Sequence, residues 1–256
     1  MSRDLERRFW SLLSSSGRSK FTHKSYFMSL KSIFIALIIA TSFGSCDKDD
    51  TPQSTTSVNV IHASPDVPGV DLLIDNLKVN TTPLNFPEAT GYLKVFAGTR
   101  NIKVNATGTN NTVINANLTF TADKYYSVFA YNLLASIAAI RVEDDLTLPA
   151  AGQAHIRFFH FSPNAPSVTM GTLSGTTFTP VFSNRSFETQ ATASANQNFT
   201  PVVAGTYTFD VQVNGASVLS LPNVVLQAGK IYTVFAKGLV GGTGSQMLGA
   251  QIVTHN

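Results

Sequence analysis

Two stretches of this 256-residue sequence set an imidazole beside a hydroxyl and a rigid bend: IHASPDVP at 61–68, with His62 and Pro65, and FHFSPNAP at 159–166, with His160 and Pro163. Histidine with serine is material for acid–base chemistry or a metal site. Three carboxylates, Asp66, Asp71 and Asp75, gather around the first bend. Asp71 and Asp75 share strand parity, and two such carboxylates helped by loop carbonyls are donors that a calcium ion accepts. No D-x-D-x-D-G loop fixes that geometry, and acids beside a turn are ordinary. Each histidine also closes an apolar stripe, after Val58 and Val60 in one case and after Ile156 and Phe158 in the other. The simplest reading is a buried ring that hydrogen-bonds the turn, placed ahead of metal binding and of catalysis. The Ser-Pro pairs force an extended approach, so the repeated phrase is expected to be a bend between two strands.

Nucleophilic chemistry finds little material. GTLSG has its serine one place too late for a nucleophile elbow, zinc-type histidine spacing is absent, and GGTGS lacks the lysine of a phosphate loop. No residue is therefore assigned a catalytic role, and a non-enzymatic protein is expected. The aromatics offer a second kind of site: Phe178, Phe182 and Phe187 stand with Phe199 among Thr, Ser and Asn, a mixture suited to a binding loop for a protein or glycan. Phe159 and Phe161 should face away from Phe158, packing between modules or against that loop. Glu143–Asp145 reads as a solvated end.

The elements that position these residues come in two sets. Beyond the twin bends, YLKVFAGTRNIKV (92–104) faces FTPVVAGTYTFDV (199–211), LTFTADKYYSVFAYNL (118–133) faces VVLQAGKIYTVFAKGL (224–239), and AIRV (139–142) faces AQIV (250–253). The offsets are 98, 107, 106 and 111, which place an insertion near 174–197 in the second set. Tyr207, Phe209, Val211 and Val213 alternate with polar residues, the period of a half-buried strand. Short alternating runs broken by AGT, ADK and AGK turns predict an antiparallel sandwich or small barrel, since no helical crossover for a parallel sheet is apparent. The predicted division is module 1 at 58–146, a linker at 147–153 and module 2 at 154–256.

Of the 18 Lys and Arg, seven precede Cys46, leaving 11 basic against 13 acidic side chains beyond it, so a nucleic-acid partner is not expected. From Met28, MSLKSIFIALIIATSFGSC has a basic start, an apolar run and small residues before the single cysteine. That layout resembles a bacterial lipoprotein signal at 1–45, with translation expected to start at Met28, Cys46 lipidated and Phe43 in place of the usual leucine. Residues 46–57 read as a polar tether. The acidic DKDD resembles the export signal of Bacteroidetes-type lipoproteins, implying an outer-membrane protein facing outward and a membrane as partner through Cys46.

VNVIHASPDVPGVDLLIDN, GYLKVFAGTRNIKV and LTFTADKYYSVFA together resemble the family known as domain of unknown function 4397, in exported bacterial proteins and often in tandem. The resemblance covers nearly all of 58–142 and, more loosely, 154–253; Asp71 is replaced by Thr169 in the second stretch. It implies an immunoglobulin-like β-sandwich in each module and no established activity. The chain is thus expected to be all-β, two tandem sandwiches behind a lipoprotein segment, needing no cofactor unless calcium binds. The expected role is binding or adhesion, or else that of a structural spacer.

Overall fold

The computed structural model describes residues 53–255, so Cys46 and the leader lie outside the described residues. Module 1 is built from β1 (Thr55–Ala63), β2 (Val70–Ile74), β3 (Leu77–Lys78), β4 (Ala89–Phe96), β5 (Gly98–Ala106), β6 (Thr112–Phe120), β7 (Tyr125–Tyr131) and β8 (Ala138–Glu143). Module 2 contains β9 (Gln153–His160), β10 (Val168–Ser174), β11 (Thr177–Arg185), α1 (Gln190–Ala195), β12 (Thr200–Val203), β13 (Gly205–Val213), β14 (Ala216–Leu226), β15 (Ile231–Lys237) and β16 (Gly249–Thr254). The strands form four sheets, ordered β4-β1-β7-β8 and β3-β2-β5-β6 in module 1, and β12-β9-β15-β16 and β11-β10-β13-β14 in module 2. Each module is a two-sheet sandwich, and the described residues are all-β apart from α1 and two short 3-10 turns.

One pair in each module departs from the antiparallel expectation: β1 runs parallel to β7, and β9 to β15. No helical crossover is needed, because the chain returns through the strands of the facing sheet. β1 also begins at Thr55 rather than at Val58. Thr56 and Ser57 are buried, and Thr56 Oγ1 donates to the Lys124 carbonyl at 2.8 Å, so residues 55–57 belong to the first strand.

Alternation along each first strand creates two apolar faces. Val58 and Val60 join Leu72, Ile102, Val104 and Phe120 in the core of module 1. Ile156 and Phe158 join Met170, Phe182, Phe209 and Val211 in that of module 2. The opposite faces make a third core, where Ile61, Ala63 and Phe129 of module 1 meet Phe159, Phe161 and Phe235 of module 2. Phe129 lies 4.8 Å from Phe161 and 5.5 Å from Phe159, ring centre to ring centre, so the modules are joined by a continuous aromatic cluster.

The expected loop at 174–197 is instead a hairpin strand and a helix. β11 pairs with β10, and Thr189 opens α1 through a capping box with Thr192. α1 lies against β8. The Gln190 side-chain amide accepts the Arg141 N–H at 2.9 Å and donates to the Arg141 carbonyl at 2.7 Å, while Gln197 Oε1 accepts the Glu143 N–H at 3.0 Å. Side-chain amides thereby continue the ladder of an edge strand that would otherwise stand open.

Candidate functional site

The junction between modules is apolar toward the two bends and polar toward the other end. The polar part centres on Arg157, the largest fully buried side chain among the described residues, placed by strand parity on the same face of β9 as Phe159, with Phe161 following just past its end. Its Nη2 donates to Asp144 Oδ1 at 2.5 Å across the junction, and Nη1 donates to the carbonyls of Glu143 and Gln197 at 3.3 and 3.2 Å. Phe199 covers the guanidinium at 4.4 Å from its ring centre, and Phe159 lies at 5.1 Å.

Around that pair runs a closed ring of hydrogen bonds. Arg157 Nε donates to Thr233 Oγ1 at 2.8 Å, and Thr233 meets His255 Nε2 at 2.6 Å. His255 Nδ1 meets the Tyr92 hydroxyl at 2.7 Å, and Tyr92 donates to Asp144 Oδ2 at 2.6 Å. One proton arrangement satisfies every member: Thr233 donates to Nε2, Nδ1–H donates to Tyr92, and the carboxylate receives the remaining donors. Ser127 Oγ adds a bond to Asp144 Oδ2 at 2.8 Å. Burial, opposed by Asp144 and assisted by Arg157, lowers the His255 pKa to about 4 and keeps the ring neutral. At 3.9 Å from Asp144 the neutral imidazole therefore makes no ion pair. Burial first, then Asp144, raises the Tyr92 pKa.

Against this network opens a cleft of about 850 Å³. Lys124, Tyr125, Glu143, Asp145, Leu148 and Gln197 line it, and Asp144 and His255 reach its wall. Lys124 pairs with Glu143 at 2.8 Å, Asp145 binds the N–H and hydroxyl of Thr147, and the Tyr125 ring meets Tyr92 edge-on at 5.3 Å. Leu148 is 73% exposed and Tyr125 39%, which leaves an apolar and an aromatic surface beside carboxylates and amides. The volume falls in the range of small-molecule sites.

The bend histidines and the aspartates of the first bend lie elsewhere, while Phe159, Phe199 and Glu143–Asp145 are part of this site. His62 and His160 sit at matching bends: Nδ1 accepts the N–H of Ser64 or Ser162 at 3.3 Å, so Nε2–H donates to the carbonyl of Pro68 at 3.2 Å or of Pro166 at 3.0 Å. Burial lowers both pKa values. Pro65 and Pro163 lie within these bends, between β1 and β2 and between β9 and β10. Asp66 accepts the Leu134 N–H at 2.8 Å, tying bend to loop. Asp71 and Asp75 do not share a site. Asp71 binds Lys78 at 2.8 Å and the Gly108 N–H at 3.1 Å, whereas Asp75, in the β2–β3 turn with φ 49°, accepts from Asn101 N–H at 2.9 Å and Arg100 at 3.1 Å. These hydrogen bonds hold both carboxyls below their ordinary pKa, and no cluster of three or more possible metal ligands occurs among the described residues.

The three phenylalanines also separate. Phe182 is buried in the core of module 2, a correction to its reading as a binding residue, because β11 turns it inward toward Phe158 at 6.1 Å. Phe178 lies over Gly171, where a Cβ would come within 2.7 Å of its ring. Phe187 packs at 5.5 Å from Tyr131 beside the junction. Of Glu143–Asp145, read as a solvated end, Asp144 is buried, whereas Asp145 is exposed and Glu143 half-exposed. One signal for the missed network was present in the sequence: Arg157 is the lone Lys, Arg, Asp or Glu in β9.

Residues 56–171 match the family described as "Domain of unknown function (DUF4397)". The match runs through module 1 and both bends into the start of β10. A crystal structure of a "putative cell adhesion protein" from Parabacteroides distasonis is similar over 79% of this chain and 100% of that one, at 9% identity and a TM-score of 0.20, a level that supports no inference about role. No curated protein matches the sequence.

Proposed function

We propose that this chain, whose residues 56–171 carry the DUF4397 domain, is a lipid-anchored protein of the outer membrane, facing outward, that binds a glycan or a protein without catalysing a reaction. The second module is a diverged copy of the first. Cys46 is the acylated residue, and residues 47–54 are the tether that gives the modules reach. The observation carrying the binding role is the cleft at the junction, where the Tyr125 ring, the exposed Leu148 and the groups of Glu143, Asp145 and Gln197 face one volume. An aromatic face beside planar hydrogen-bonding groups suits a sugar ring or a polar peptide. The hydroxyl and imidazole behind it argue against catalysis, since Thr233 and Ser127 are fully buried and already engaged by Arg157, His255 or Asp144.

The test is the melting temperature of the protein against glycans and short peptides, with Tyr125→Ala as control. A ligand specific to the fold at 100 times its Kd adds about 2.7 kcal/mol, and the variant should lose that shift. No shift from either class would turn the reading toward a spacer, which the continuous aromatic junction favours. Protease added to intact cells should degrade the protein, and Cys46→Ala should release it from the membrane fraction. Full protection from protease would sink the outward-facing claim.

A further inference from the structure

β8 and β16 hold the same place in their sheets, yet only one edge is closed. Gln190 and Gln197 cap the outward main-chain groups of β8, and the Arg141 guanidinium crosses to the Thr119 carbonyl of β6, bridging the two sheets of module 1. In β16 the residues in the register of Arg141 and Glu143 are Ile252 and Thr254. The His255 N–H bonds the Ile231 carbonyl at 2.9 Å, as Asp144 N–H bonds that of Tyr125, so antiparallel alternation turns Ala250, Ile252 and Thr254 outward. The Gln251 amide reaches the Ile252 carbonyl at 3.3 Å; no other described residue meets this row. The strand GAQIVT carries neither charge nor proline, the usual guards of an edge.

A pocket of about 400 Å³ lies beside it. Its walls include Ala165, Val211, Val213, Val218, Leu219 and Leu248, of which Leu248 leads directly into β16. Ala165 stands where module 1 has Val67, which is buried in that module's core. The one imidazole in the wall, His160, has both nitrogens occupied, so an apolar group is what the pocket accommodates.

We infer that β16 is an acceptor edge for an extended segment of another polypeptide, which adds as a fifth strand and seats an apolar side chain in this pocket. Main-chain amides of the incoming strand supply the outward row with the bonds that Gln190 and Gln197 supply to β8, and its alternate side chains face the sandwich. The segment DKDDTPQS at 47–54 of this chain is charged or polar except for Pro52 and lacks the alternating apolar side chains required. This surface is separate from the junction cleft, and either assignment stands without the other.

The probe is a fluorescent heptapeptide alternating threonine with valine, flanked by lysines for solubility. Its control has the same composition with the valines adjacent. Fluorescence anisotropy with the detergent-solubilised full chain should give saturable binding of the alternating peptide alone. Thr254→Pro, which removes one outward N–H and no bond to β15, and Ala165→Val, which restores the residue of module 1, should each weaken binding at least tenfold. Amide exchange over 249–255 should slow when peptide is bound. Absence of saturable binding, affinity unchanged in both variants, or protection confined to another segment would overturn the inference. Self-association abolished by Thr254→Pro would overturn the foreign partner in favour of a second copy. If Thr254→Pro fails to melt near the parent temperature, Ala165→Val and the exchange map decide.

Discussion

Asn59 and Arg157 occupy the same position on the first strands of the two modules, and the surfaces around them are built to one plan. Register relates Ile61 to Phe159, Ala63 to Phe161, Phe129 to Phe235, Ser127 to Thr233 and Asp144 to His255, and the two sets face each other. The apolar pairs contributed by the first strands differ in size, the module 2 member being larger, whereas Phe129 and Phe235 are the same residue. Ser127 and Thr233 keep a hydroxyl in both modules, but the other polar pairs differ: module 1 supplies Asn59 and the Asp144 carboxylate, module 2 the Arg157 guanidinium and the neutral His255 imidazole. Two identical faces would bring like charges together at this depth. Divergence at matching positions instead yields one buried ion pair with its hydrogen bonds satisfied.

The largest expected effect comes from breaking that complementarity. Arg157→Met leaves the Asp144 carboxylate buried without its cation and should cost about 3–5 kcal/mol, read from the denaturant midpoint. Asp144→Asn should cost a comparable amount. The double variant should lose less than the two costs added, because each single change strands the other's charge. Strict additivity would mean that the pair is not coupled.

Acid should act next, through the residue that matches Asp144. His255 is held at about 4 in the folded protein and returns to 6.5 when unfolded, so the unfolded chain binds the extra proton between those values. Stability is therefore complete above pH 6.5 and falls as pH drops toward 4, by about 3 kcal/mol. His62 and His160, lowered by the same desolvation, add losses of the same sign. Comparing the chain with His255→Gln isolates the effect: the variant should show a shallower decline over that window, and parallel declines would refute the assignment.

The bends test where the modules are alike. His62→Ala and His160→Ala each remove a buried donor–acceptor ring that joins strand to turn, and each should cost about 1–3 kcal/mol. Similar losses would confirm equivalent bends. A markedly smaller loss for His160→Ala would sharpen the contrast, because its pocket already opens beside the ring.

These bends were legible because their cause is local: a histidine two residues before a Ser-Pro turn bonds groups within six residues of itself. Alternation in TYTFDVQV likewise declares its strand without reference to the rest of the chain. The parallel β1–β7 pair was not legible, since the order of strands within a sheet leaves no period in the sequence. The polar ring was hidden for a related reason. Tyr92 and His255 are 163 residues apart, and Asp144 sits in an acidic run whose burial is decided by how one module meets the other. Arg157 gave the one warning, a cation in a strand otherwise fit for a core, but its partner could not be named before the faces were docked.

The smallest effect tests the vacant counterpart of that cation. Asn59 is buried, and its Oδ1 has no hydrogen-bond partner among the described residues, although the corresponding Arg157 bonds to Asp144, Thr233 and two carbonyls. A buried carbonyl without a partner costs stability, so Asn59→Val should be neutral or gain up to about 1 kcal/mol in the denaturant midpoint. A loss of about that size or more would place a hydrogen bond at Asn59 and make the two faces more alike. A gain would locate the strain of the junction in module 1, where the matched position retains a polar group without a complement across the junction.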